Sequence, residues 1–139
     1  MATRESIPAP LQVSLAGPTA VHDATTAARA FAEEGGVADA DVARLAVVVE
    51  ELVTNFYDHG EISHEDEIFV ELSLTEVDLR LVITDSGRPF DPGKADNGDL
   101  PERGGGAGLK LVRAWASHIR YQSADGSNQL VVHLPVHRG

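Results

Sequence analysis

The apolar residues of this chain change period once, and that change limits the folds open to it. Val42, Leu45, Ala46, Val49, Leu52, Val53, Phe56 and Tyr57 recur at steps of three and four, which puts them on one stripe of an α-helix that ends at Gly60. Beyond it, Ile68, Val70, Leu72 and Leu74 alternate with other residues, as do Val77, Leu79, Leu81 and Ile83, with only Thr75-Glu76 between the runs. Period two with so short a break predicts two adjacent antiparallel strands.

The flanking segments extend the pattern. Leu11, Val13 and Leu15 alternate and stop at Gly17-Pro18, a first strand. Residues 21–34 are Ala-rich, carry apolar positions at helical spacing and run into Gly35-Gly36, so they read as a helix with a glycine C-cap, and Asp39 or Asp41 can cap the helix that follows. From Gly87 to Gly108 the periodicity vanishes, and glycines occupy 93, 98, 104, 105, 106 and 108; a loop this long in a small domain is usually functional. Helical spacing resumes at Leu109, Leu111, Val112, Trp115 and Ala116, and residues 119–123 and 130–134 read as two strands joined by a turn at Asp125-Gly126-Ser127. This order predicts an α+β fold, a two-layer sandwich with a mainly antiparallel sheet covered on one face by helices, and one domain over residues 1–139.

Charge and composition narrow the chemistry. With 11 Lys+Arg against 22 Asp+Glu in 139 residues, a formal net charge of −11, the surface repels phosphate backbones and anionic headgroups, so neither nucleic acid nor membrane is an expected partner and a basic protein is. The absence of cysteine removes disulfides, thiolate nucleophiles and Cys-ligated metals. The N-terminus lacks a charged-then-apolar signal, and the longest apolar run, residues 45–49, falls far short of the roughly 20 residues that span a bilayer. A cytoplasmic location is the expectation. Neither GxxxxGK[ST] nor GxGxxG fits the glycines, since both registers from Gly104 meet Leu109 where glycine is required, and HExxH and G-x-S-x-G are also missing.

Three segments can carry chemistry together. In the first, residues 50–60, Glu51 and Asn55 lie four apart and so share one helix face beside the apolar stripe. An amide oxygen suits Mg²⁺, which takes few protein ligands when phosphates and waters complete its octahedron, and a neighbouring carboxylate can accept a hydroxyl proton. A solvated helix face is the plain alternative. The second, Asp85-Ser86-Gly87-Arg88-Pro89-Phe90-Asp91-Pro92, follows an apolar strand. There a carboxylate can accept a hydrogen bond from an exocyclic amine of a planar ligand that Gly87 admits, and an ordinary turn is the alternative. The third, Gly104-Gly105-Gly106-Ala107-Gly108-Leu109, lies just before a helix, where freed backbone amides form an anion site; a linker is the alternative.

In this order, the three segments resemble the N, G1 and G2 boxes of the Bergerat-fold ATPases, the superfamily of gyrase, Hsp90, histidine kinases and MutL. The forms E-x-x-x-N-x-x-x-H-G, D-x-G-x-P-F-D-P and G-G-x-G-L are similar to those of its anti-sigma-factor serine/threonine kinases, the RsbW and SpoIIAB type. The resemblance implies ATP and Mg²⁺ as cofactors, with Glu51 as general base and Asn55 as the Mg²⁺ ligand. It implies that Asp85 binds the adenine amine beside Gly87, that His59 belongs to the nucleotide site, and that Gly104, Gly105, Gly106, Ala107, Gly108 and Leu109 close over the phosphates as part of an ATP lid at about 88–108. It further implies a STAS-domain anti-anti-sigma protein as substrate, a sigma factor as sequestered partner, and a homodimer. A nucleotide-gated module that sequesters a regulator without phosphorylating anything is the alternative. Asp58 departs from the family, which often carries Lys or Arg before the histidine. His22-Asp23 resembles the opening of a histidine-kinase phosphoacceptor box but lies in a short helix without the dimerisation hairpin, so it reads as structural, and Trp115 reads as core.

Overall fold

The structure, a computed structural model, describes residues 7–59, 67–85, 105–124 and 126–138. Its elements run β1 (Leu11–Leu15), α1 (Ala20–Glu34), α2 (Asp39–His59), β2 (Ile68–Leu74), β3 (Asp78–Asp85), α3 (Gly105–Trp115), β4 (His118–Ala124) and β5 (Ser127–Pro135). The strands form one antiparallel sheet in the order β1-β2-β3-β5-β4. The expected element order and α+β class therefore hold.

Each element follows from local chemistry. Helix α1 ends where the Gly35 N–H reaches Phe31 O at 3.0 Å and Gly36 takes φ 77°, a backbone conformation that side chains disfavour. The β2–β3 turn is held by Thr75, whose Oγ1 accepts from the Asp78 N–H at 3.0 Å and donates to Asp78 Oδ1 at 2.8 Å. Helix α2 begins at Asp39, and Asp41, the other candidate cap, is turned to a different use. It is buried, and its Oδ2 accepts from the backbone N–H of His137 at 2.7 Å and contacts that ring's Nδ1 at 3.0 Å. The C-terminal residues are thereby fastened to the start of α2, with Arg138 Nε donating to Gly35 O at 2.8 Å.

The core lies between sheet and helices. Leu45, Val49, Leu52, Val53 and Phe56 from the α2 stripe join Ile68, Val70, Leu72, Leu79, Leu81, Ile83, Leu130 and Val132 from the sheet in one buried cluster, with Val112 supplied by α3. At about 25 cal/mol per Å² of apolar surface removed from water, this cluster is the main favourable contribution to folding. Trp115 packs against it half-buried, under the Arg44 guanidinium at 6.0 Å from the ring centre. The other sheet face departs from simple alternation. Val82 and Val131, paired across β3 and β5, are buried there too, flanked along their row by Glu71 and Arg120, whose stems can cover apolar surface.

Candidate functional site

Strand β3 ends in a buried charge. Its inward residues Leu79, Leu81 and Ile83 are followed two positions later by Asp85, so the same alternation carries the carboxylate into the helix-covered layer, where it is 3% exposed. An isolated carboxylate there would cost several kcal/mol. The sheet register supplies the compensation. Asp85 stands opposite Asn128 on β5, and Asn128 stands opposite Ser123 on β4. Asn128 Nδ2 donates to Asp85 Oδ1 at 2.7 Å, and Ser123 Oγ donates to Asn128 Oδ1 at 2.7 Å. The ionised carboxylate only accepts, so it fixes the amide with Nδ2 toward Asp85, and the serine hydroxyl, which can donate or accept, donates to the amide oxygen left over. Neither Asn128 nor Ser123 stood out in the sequence, because only strand register brings them to Asp85.

Helix α2 brings the second pair. Asn55 is 3% exposed and donates through Nδ2 to Glu51 O at 2.6 Å, one turn back. With its amide nitrogen engaged on its own helix, Asn55 keeps Oδ1, the atom a hard cation takes. Glu51 is half-buried on the same face, and burial, followed by the like charge of Glu50, pushes its carboxyl above the ordinary value of 4.5. That is the direction a proton acceptor working near neutrality needs.

The remaining expected residues divide in two. Gly87 and Gly104, with residues 88–103 of the expected lid, lie outside the described residues, as does the side chain of His59, the last residue of α2. Gly105, Gly106, Ala107, Gly108 and Leu109 are the first five residues of α3, which therefore begins four residues earlier than the spacing from Leu109 predicts. Glycine carries no hydrophobic signal and weak helix propensity, so periodicity misses such a start. Its consequence is chemical: the first four N–H groups of any helix lack intrahelical acceptors, and here they belong to the backbone of Gly105, Gly106, Ala107 and Gly108. Among the described residues, no three His, Asp or Glu side chains converge as a metal cage. A lone amide oxygen fits a cation completed by phosphate oxygens and water, the habit of Mg²⁺. His22 is exposed on α1, and no helix is long and apolar enough to cross a membrane among the described residues.

A two-layer α+β domain with a buried carboxylate at a strand end, an Asn/Glu pair on a core helix and a glycine-built helix start has the parts of an ATP-binding domain. The chain belongs to the histidine kinase-like ATPase domain family, whose model matches residues 15–134. No curated protein matches it in sequence. Among solved structures, the RsbU and RsbW domains of Rv1364c from Mycobacterium tuberculosis superpose with a TM-score of 0.70 at 20% identity, over 95% of this chain and 34% of that one. The chain thus spans about a third of the length of that neighbour. The SiaB–SiaC complex from Pseudomonas aeruginosa superposes with a TM-score of 0.65 at 12% identity, over 94% of this chain and 91% of that one. At these identities both describe the fold.

Proposed function

We propose that the protein is an anti-sigma factor with ATP-dependent serine/threonine kinase activity, which phosphorylates a STAS-domain anti-anti-sigma protein and sequesters a sigma factor in a partner-switching system. The observation that carries the reading is the buried Asp85, held by Asn128 at the end of β3 in a chain whose family is an ATPase family. A buried, ordered carboxylate at a strand end accepts a hydrogen bond from the exocyclic amine that adenine carries at the edge where guanine carries a carbonyl. That the neighbouring folds include an RsbW domain and one half of a SiaB–SiaC complex supports a regulator working through protein partners.

In this reading Asp85 and Gly87 receive the adenine and His59 lines the nucleotide site. Gly104, Gly105, Gly106, Ala107, Gly108 and Leu109 offer backbone amides to the phosphates. Asn55 holds Mg²⁺ through Oδ1; the cation, when bound, neutralises phosphate charge. Glu51 takes the proton from the partner's serine or threonine hydroxyl as that oxygen bonds to the γ-phosphorus. The bond from the γ-phosphorus to the bridging oxygen breaks, and ADP leaves with the electron pair. Positioning and charge neutralisation supply most of the rate in such transfers. Only the ionised form of Glu51 can accept the proton, so its raised pKa shifts the acid limb of the activity upward from where a glutamate at the ordinary 4.5 would put it.

Intact-mass analysis of a STAS partner after incubation with ATP and Mg²⁺ tests this. The expected result is one added phosphoryl group with the wild type and none with Glu51→Ala, which still binds ATP. ATP-dependent complex formation without a change of mass would replace the kinase by a nucleotide-gated sequestering module. Sedimentation of the free chain tests the proposed homodimer.

A further inference from the structure

Two histidines and an aspartate meet on the helix-free face of the sheet. His118 on β4 stands directly opposite His133 on β5, and Arg80 on β3 stands on the other side of His133. Leu130, Val132 and Leu134 point into the core, so the alternation of β5 turns His133 outward, where its side chain is 29% exposed. The His133 ring is oriented by its neighbours. Its Nδ1 lies 3.0 Å from Asp78 Oδ2, and Asp78 Oδ1 in turn accepts from Thr75 Oγ1 at 2.8 Å in the β2–β3 turn. An ionised carboxylate only accepts, so Nδ1 carries the hydrogen and Nε2 of the neutral ring keeps the lone pair. The two nitrogens lie on nearly opposite sides of an imidazole. With Nδ1 aimed at Asp78 on β3, Nε2 is aimed away from β3, on the side where β4 carries His118.

We infer that His118 and His133 form a binding site for one divalent transition-metal cation, Zn²⁺ or Cu²⁺, with water completing its coordination. Three observations converge on this ligand. Imidazoles that share one cation at metal–nitrogen distances of about 2.0–2.1 Å hold their ring centres about 5–6 Å apart; the centres of His118 and His133 are 5.7 Å apart, with the ring planes inclined at 68°. The Asp78 carboxylate behind His133 is the outer partner that metal-binding histidines usually have, which fixes the tautomer and makes the nitrogen presented to the cation more basic. His118 is exposed and takes no part in the Thr75–Asp78–His133 chain, so a purely structural tie between β3 and β5 gives that ring no role. Arg80, half-buried, and Arg120, exposed two positions along β4, are long enough to keep their charges in water, while Asp78 and the net charge of −11 favour a cation. Two imidazoles make an open site, distinct from a three-residue cage, which is absent among the described residues. Nitrogen donors suit Zn²⁺ and Cu²⁺, whereas Mg²⁺ takes oxygen. The site lies at the opposite end of β3 from Asp85 and on the other face of the sheet, so it does not rest on the nucleotide reading.

The test titrates the full, metal-free chain with Zn²⁺ by calorimetry in the absence of nucleotide, and uses Cu²⁺ for electron paramagnetic resonance. The expected results are one Zn²⁺ per chain, displaced by Cu²⁺, and a copper spectrum with coupling to the nitrogens of two imidazoles. Asp78→Asn, which keeps an oxygen for the Nδ1–H but removes the charge, lowers Zn²⁺ affinity about tenfold, and His118→Ala, which removes a ligand outright, lowers it further. In His118→Ala the copper spectrum retains coupling to one imidazole. His22→Ala, at an exposed histidine of α1, leaves the affinity unchanged. Circular dichroism verifies that the variants fold, and the exposed position of His118 keeps the decisive variant clear of the core. Failure of the wild type to bind Zn²⁺, unchanged affinity or an unchanged copper spectrum in His118→Ala, loss of binding in His22→Ala, or binding that appears only with ATP would each overturn the assignment.

Discussion

Asn128 donates a 2.7 Å hydrogen bond to Asp85 from the directly opposed position on the neighbouring strand, 43 residues away in sequence. The pair shows how the sheet accommodates a buried carboxylate: three strands contribute Asp85, Asn128 and Ser123 to one row, each polar group engaging the next. A hydrogen bond to a charged group is among the stronger interactions a fold can offer, and removing its donor leaves the charge poorly compensated.

Asn128→Ala should therefore destabilise the protein by about 2–3 kcal/mol, read from denaturant midpoints at constant slope. Asp85→Asn should cost less, because an amide opposite an amide can still form one hydrogen bond while no charge remains to be compensated. The reverse order of the two effects would show that Asn128 does not support Asp85.

The carboxyl of Asp41 gives a pH dependence with a definite sign. Burial raises its pKa, but hydrogen bonds from the His137 backbone and ring, with the charges of His137 and Arg44, outweigh burial and hold it below the ordinary 3.8. A pKa lower in the folded than in the unfolded chain means that this group contributes full stability above pH 3.8 and loses it as the pH falls through the folded value. Asp41→Asn should flatten the acid arm of the stability profile, and Asp41→Ala should lower stability at pH 7 by about 2 kcal/mol. Thermal unfolding followed from pH 7 to pH 2 checks both.

Glycine at position 35 is required by packing. Its φ of −80° suits any residue, but a Cβ there would stand 2.5 Å from Leu74 Cδ2, a side chain that is itself buried. Gly35→Ala should cost about 1–3 kcal/mol through displacement of Leu74. Gly35→Ala combined with Leu74→Ala should cost less than the sum of the two single changes, as measured by a double-mutant cycle.

Glu51→Gln should leave ATP affinity within about twofold and reduce phosphoryl transfer by at least 100-fold, the low end of what a general base supplies. In the wild type the rate should fall as the pH drops toward the raised Glu51 pKa, because the base must be ionised. A transfer rate insensitive to this substitution would remove Glu51 from the reaction.

The fold was legible where one period dominated. The 3.6-residue stripe from Val42 to Tyr57 and the alternation through Ile83 specify α2, β2 and β3 because burial of one face is what stabilises each. Legibility failed where contacts depend on tertiary register or on residues without a hydrophobic signature. Gly105–Gly108 gave no sign of being helical, and Asn128 fell between the expected turn at 125–127 and the strand expected from 130, so only strand pairing set it against Asp85. Asp41 read as a helix cap because its partner, His137, lies 96 residues away. Of the candidate site, Glu51, Asn55 and Asp85 were visible as residue types at meaningful spacings; the hydrogen bonds around Asn55 and Asp85 were not.

The most direct test of the central claim is calorimetry of ATP with and without Mg²⁺ on the wild type and on Asp85→Asn. The expected result is Mg²⁺-dependent ATP binding by the wild type and its loss in the folded variant. Absence of binding by the wild type, or equal binding by Asp85→Asn, would contradict it.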